Sequence, residues 1–149
     1  MKHYRHILVA VDLTDNSAAL VARAQDIQAL SQAKLTLVHV IDYAPMIYAG
    51  GEFALPVDID TFDDSISKAS QAKLLELAHH CKVNEADCQL LHGEKENELV
   101  QLAENLNIDL LVVGAHDKQG FSRLFSSTAD SLLHALPCDI LNVKQEPID

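Results

Sequence analysis

Positive charge is scarce in this chain: 11 Lys and Arg stand against 22 Asp and Glu, a formal charge of −11. Such an excess favours solubility and repels phosphate backbones over a Debye length, which argues against nucleic acid and anionic membranes as partners. Long hydrophobic runs are missing too. The N-terminal run ends at Asp12 after Ile7 to Val11, and no stretch reaches signal-peptide or spanning length. The expected compartment is therefore the cytoplasm. The cysteines, Cys81, Cys88 and Cys138, are odd in number and without CxxC spacing, so they read as small buried hydrophobes. Adjacent His79 and His80 would project about 100° apart on a helix, and no metal site is expected. Nor is there a G-x-S-x-G nucleophile elbow.

What is present is alternation. Strand-length apolar runs occur at Ile7 to Val11, Leu35 to Ile41, Cys88 to Leu91, Ile108 to Val113 and Ile140 to Val143. Between them lie helical patterns, the first with a stripe of Ala18, Val21, Ala24 and Ile27 behind caps from Thr14 to Ser17. Thr61 and Asp64 have capping-box spacing ahead of Phe62, Ile66, Ala69, Leu74, Leu77 and Ala78. Glu94, Glu96 and Glu98 complement the dipole at the start of a third helix whose apolar face is Leu99, Leu102, Ala103 and Leu106. Ser127 and Asp130 can start a fourth, with Leu132, Leu133 and Leu136, which Pro137 ends.

Five strands and four helices in strict alternation predict an α/β fold: one doubly wound, parallel, Rossmann-like sheet in three α/β/α layers, with strand order 3-2-1-4-5. The length fits a single domain, 1–149, interrupted by a flexible loop at 42–60 that carries Pro45, Gly50, Gly51 and Pro56. No Lys or Arg occurs from Leu35 to Ser67, whereas Asp42, Glu52, Asp58, Asp60, Asp63 and Asp64 are acidic. A phosphate approaching from that side would be repelled.

In such a sheet, ligands bind beyond the carboxyl ends of the strands, where the strand order reverses. Asp12, Val40 with Ile41, and Gly114 end three of the strands there. Asp12 can accept a hydrogen bond from a ribose or base edge, or it can cap its own turn. The stretch IDLLVVGAHDKQGFSRLFSST, residues 108–128, adds a strand, a glycine exit, a polar loop and a Ser/Thr helix start.

HILVAVDLTDNS, LTLVHVID, DLLVVGAH and SSTADSLLHALPCDILNVK together resemble the universal stress protein family over essentially the whole chain, and are most similar to its universal stress protein A branch. The resemblance implies a stress-response protein. Several members of the family bind ATP or AMP through a G-x2-G-x9-G-[ST] signature after the fourth strand. Gly114 and Thr128 match its first and last positions, while Asp117 and Ser127 replace two glycines. The expected AMP or ATP site is therefore Asp12, Val40, Gly114, His116, Ser127 and Thr128. Ser127 is a mild change, because a hydroxyl at a helix start can bind an oxyanion. Asp117 is not: a carboxylate at roughly 4 Å from a phosphate costs on the order of 4 kcal/mol per charge pair at an effective dielectric of about 20. Tight binding of metal-free ATP should fail. AMP, carrying less charge, is compatible with the loop, and Lys118 or Arg123 can offset part of the repulsion.

His116 beside Ser122, Ser126 and Ser127 is read as a solvated histidine among helix-capping serines rather than a catalytic pair, since adjacency in sequence supplies no nucleophile geometry. His39 is read as a core or interface residue. The final strand, with Ile140, Leu141, Asn142 and Val143, is interrupted by a polar residue and ended by Lys144, as suits an edge. The resemblance implies homodimerisation through that edge. The leading expectation is a regulatory homodimer with protein partners and no firm cofactor. The alternative is an AMP or ATP sensor, or a slow ATPase. A receiver domain would need an acceptor Asp where Leu91, His92 and Gly93 stand, and a flavodoxin needs a glycine among Thr14 to Ser17.

Overall fold

The computed structural model describes residues 3–42, 59–115 and 134–145. In chain order the elements are β1 (His6–Ala10), α1 (Ser17–Ser31), β2 (Lys34–Ile41), α2 (Ile59–His80), a short 3-10 turn (Glu85–Asp87), β3 (Cys88–His92), α3 (Lys95–Asn105), β4 (Leu110–Ala115) and β5 (Asp139–Lys144). The sheet order is β3-β2-β1-β4-β5 and every pairing is parallel, as the alternation predicts. The expected fourth helix falls largely outside the described residues. Its last residues, His134 and Ala135, are helical.

The strands read as continuous apolar runs because both faces of the sheet are covered. Ile7 and Val9 of β1, Leu35 and Leu37 of β2, and Leu110 and Val112 of β4 pack on one face against Leu20, Val21 and Ala24 of α1 and Leu74 and Ala78 of α2. Leu8, Val38, Val40, Leu111 and Val113 face the other way, onto Leu99, Leu102 and Ala103 of α3, with Leu136 and Ile140 at the margin. Two periodicities thus meet, period 2 in the strands and 3.6 in the helices, and give three layers.

Some sequence expectations need correction. The buried stripe of α1 is Ser17, Leu20, Val21 and Ala24, with Ile27 only half-buried, so the helix is rotated slightly from the expected face. In α2, Ala69 is exposed and Ile66 half-buried; the helix grips the sheet through its second half. The cysteines are half-buried rather than buried. Burial still pushes the Cys81 and Cys88 thiols up, with Asp87 and Glu85 adding to the rise at Cys88, so both stay protonated and unreactive near neutral pH.

The amino end of the sheet is held by side chains. Asp109 accepts from Arg5 N at 2.8 Å and His6 N at 3.0 Å, which ties the entry of β1 to that of β4. His6 donates from Nδ1 to Leu106 O (3.1 Å), so in the neutral ring its Nε2 accepts from Thr36 Oγ1 (2.8 Å). At the opposite end of the sheet, Gly93 has φ +144°, a conformation that glycine adopts without strain, and its N–H donates to Ile41 O at 3.0 Å.

Candidate functional site

The strand order reverses between β1 and β4, since β2 and β3 lie to one side and β5 to the other. The crevice beyond their carboxyl ends is the site such a sheet offers a ligand. Asp12 and Gly114 flank it: Ala10 pairs with Val113, so the chain leaves β1 beside Gly114.

The turn after β1 is built by Asp12. Its Oδ1 accepts from Thr14 N (3.1 Å), Thr14 Oγ1 (2.8 Å) and Ser17 Oγ (3.1 Å). Leu13 is forced into the left-handed region, φ 61°, and its side chain packs back on the first core. Asn16, the residue before α1, makes no capping bond with its own side chain, and the Asp12 carboxylate ties the turn to the first helical residue through the Ser17 hydroxyl. Of the two roles open to Asp12, the structure displays the turn-capping one. Val40 is almost buried and lies in the second core, so its side chain serves packing with α3. His116, Ser127 and Thr128, with Asp117, lie outside the described residues.

Two further residues shape this end of the sheet, and the first escaped sequence reasoning. Gln145, the first residue past β5, is 8% exposed. Its Nε2 donates to Asn16 O at 3.0 Å, and a Cβ built on Gly114 would stand 2.6 Å from its Cδ. The side chain therefore runs from the end of β5 across Gly114 to the start of α1. No sequence signal marks it, because a lone glutamine after a strand is ordinary.

The other is His39, near the end of β2, which forms a 2.7 Å hydrogen bond between Nδ1 and Val11 O. A carbonyl only accepts, so Nδ1 carries the hydrogen and Nε2 is bare in the neutral ring. Burial pushes the His39 imidazole below the ordinary histidine range; the bond to Val11 and the Asp12 charge oppose this, while Lys95 and Lys73 add to it. The folded protein therefore takes up the His39 proton less readily than the unfolded chain. This part of the stability is complete above about pH 6.5 and declines as pH falls below it. His39→Asn can keep a donor to Val11 O but cannot titrate. Urea midpoints between about pH 7.5 and 5.5 should fall less in that variant than in the parent protein, with part of the slope left because burial lowers His6 as well.

A Ser–His contact does occur elsewhere, at the exposed β3 edge, where Ser67 Oγ lies 2.7 Å from His92 Nε2. Asp63 Oδ1 approaches the same nitrogen at 3.9 Å. A triad needs the carboxylate on the other ring nitrogen, so this cluster does not reproduce nucleophile activation. Among the described residues no group of His, Cys, Asp and Glu could hold a metal ion, and no helix is long and apolar enough to cross a membrane.

Residues 3–144 match the model of the universal stress protein family. The chain belongs to that family. It is 40% identical to universal stress protein A homolog 1 of Coxiella burnetii, over 95% of this chain and 96% of that protein. It is 30% identical to universal stress protein A of Escherichia coli, over 94% of each. A universal stress protein crystallised in complex with cAMP superposes with TM-score 0.58 at 26% identity, covering 95% of this chain and 98% of the other. A family member from Burkholderia pseudomallei shares the fold at TM-score 0.66 and 21% identity, over 94% and 96% of the two chains. Within this universal stress protein, the crevice between β1 and β4 is thus framed by Asp12 and Gly114 and crossed by Gln145.

Proposed function

We propose that this universal stress protein is a cytoplasmic stress-response homodimer that acts by binding other proteins rather than by catalysis, and that its two copies meet along β5. The supporting observation is the place of β5: it is the outermost strand beyond β4, and its middle residue Asn142 is exposed between half-buried Leu141 and Val143. A strand so placed offers its outer edge to a second copy, and a two-fold contact sets the same residues of both strands against one another. Asn142→Asp puts one carboxylate from each copy near the axis. Sedimentation equilibrium should find the parent protein dimeric at micromolar concentration and the variant's dimer at least about tenfold weaker. A parent protein that sediments as a monomer overturns the reading.

A second reading has its own support. The cAMP complex of a relative above a quarter identical favours a purine nucleotide of low charge in the β1–β4 crevice, AMP or a cyclic monophosphate, bound by Asp12, Gly114 and the backbone near Val40 together with His116, Ser127 and Thr128. Calorimetry of nucleotide-free protein with AMP, cyclic AMP and Mg-ATP tests it. Heat with the monophosphates and little with the triphosphate is expected; no heat with any of them retires the reading.

A further inference from the structure

We propose that Gln145 is a built-in occupant of the ligand crevice, a side chain that a nucleotide must displace before it can lie against Gly114. The proposal rests on the second reading above, and it concerns what this chain does to its own site.

The geometry is that of a bar across the switch point. Lys144, the last residue of β5, pairs with Ala115, so the backbone reaches residue 145 level with the exit of β4. From there the Gln145 side chain turns inward, covers Gly114 and ends on the carbonyl of Asn16 at 3.0 Å. It thereby spans from one side of the reversal, β5 and β4, to the start of the helix that follows β1. The absence of a Cβ at Gly114 is what makes room for it: the nearest atoms to a Cβ there belong to the Gln145 carboxamide. In the nucleotide signature that glycine lets a ligand approach the backbone closely. Here the approach is taken by an amide that is 8% exposed and hydrogen-bonded.

The chemistry of the displacement is simple. Entry of a ligand breaks the Nε2–H bond to Asn16 O and returns a buried amide to water or to the ligand's own polar groups. Apparent affinity is reduced by the fraction of molecules in which the bar is down. A shorter side chain removes the competitor and leaves Gly114 open. An apolar side chain of similar length loses the hydrogen bond but still fills the volume.

The test uses the full chain and AMP as the probe. Gln145→Ala should bind AMP about fivefold more tightly than the parent protein by calorimetry, the gain expected when the side chain fills the crevice in roughly four molecules of five. Gln145→Met should remain near the parent value. Thermal melts of both variants check that they are folded, and the methionine form guards against a collapse caused by truncation. Heat from Gln145→Ala where the parent gives none supports the bar and removes only the parent's own nucleotide binding. An alanine variant that binds AMP no better than the parent, including one that binds none, overturns the proposal. So does a methionine variant that gains as much as alanine, because volume would then not be the barrier.

Discussion

Leu74→Ala is expected to lower the unfolding free energy by about 3 kcal/mol, within the ~2–5 kcal/mol range for truncating a buried leucine, and to reduce the melting temperature by about 6–12 °C. Leu74 is fully buried, and among the described side chains of α2 it and Ala78 are the buried ones. The helix spans Ile59–His80, yet its hold on the sheet is concentrated there, against Leu37, Val21 and their neighbours in the first core. Truncation removes the larger of these two anchors and leaves a cavity beneath the helix. The adjacent residue provides the control. Leu75 points toward an open groove of about 530 Å³, shared with Ala72 and Leu90, so Leu75→Ala should cost clearly less. Equal losses in the two variants, read from urea titrations, would mean that α2 does not present the face described.

That contrast between neighbours also shows which parts of the molecule can be read from sequence. The apolar runs of β1, β2 and β4 stand out because a parallel sheet covered on both faces buries successive residues of its central strands; Leu8 and Val9 are equally inaccessible although they face opposite layers. The start of α2 is harder. Its apolar residues continue toward Ile66, but the helix runs past the sheet there, and periodicity alone does not say where a helix leaves its support. The acidic start of α3 was legible from dipole complementarity. The work of Asp109 was not, because its bonds to Arg5 and His6 join residues 104 and 103 positions apart. Gln145 is the extreme case: it meets Asn16 across 129 positions, and only the order of the strands brings them together. Asp12 lies between. Its place at the end of β1 is plain from the sequence, whereas its commitment to Thr14 and Ser17 depends on Leu13 taking a left-handed backbone, a conformation a leucine seldom adopts.

Restoring glycine at both Asp117 and Ser127 is expected to raise the affinity for metal-free ATP by about a hundredfold. The signature that begins at Gly114 has carboxylate and serine where two glycines belong. The two changes should contribute unequally. A serine hydroxyl can itself bind a phosphate oxygen, so Ser127→Gly alone should alter affinity little. Asp117→Gly removes a like charge worth on the order of 4 kcal/mol per phosphate charge at roughly 4 Å and an effective dielectric of about 20, a figure that salt screening reduces toward the expected hundredfold. Charge also predicts the selectivity. AMP carries fewer phosphate charges than metal-free ATP, so its gain should be several-fold smaller, and the difference between variant and parent should narrow as salt is added. Calorimetry at two salt concentrations reads both effects. Equal gains for AMP and metal-free ATP would show that backbone space, not the carboxylate, sets what the loop accepts; no gain for either would separate the loop from nucleotide binding altogether. Because Gln145 acts at Gly114 by filling space rather than by charge, its truncation should favour both nucleotides alike. A dependence on phosphate number therefore distinguishes the loop's effect from that of the side chain across the crevice.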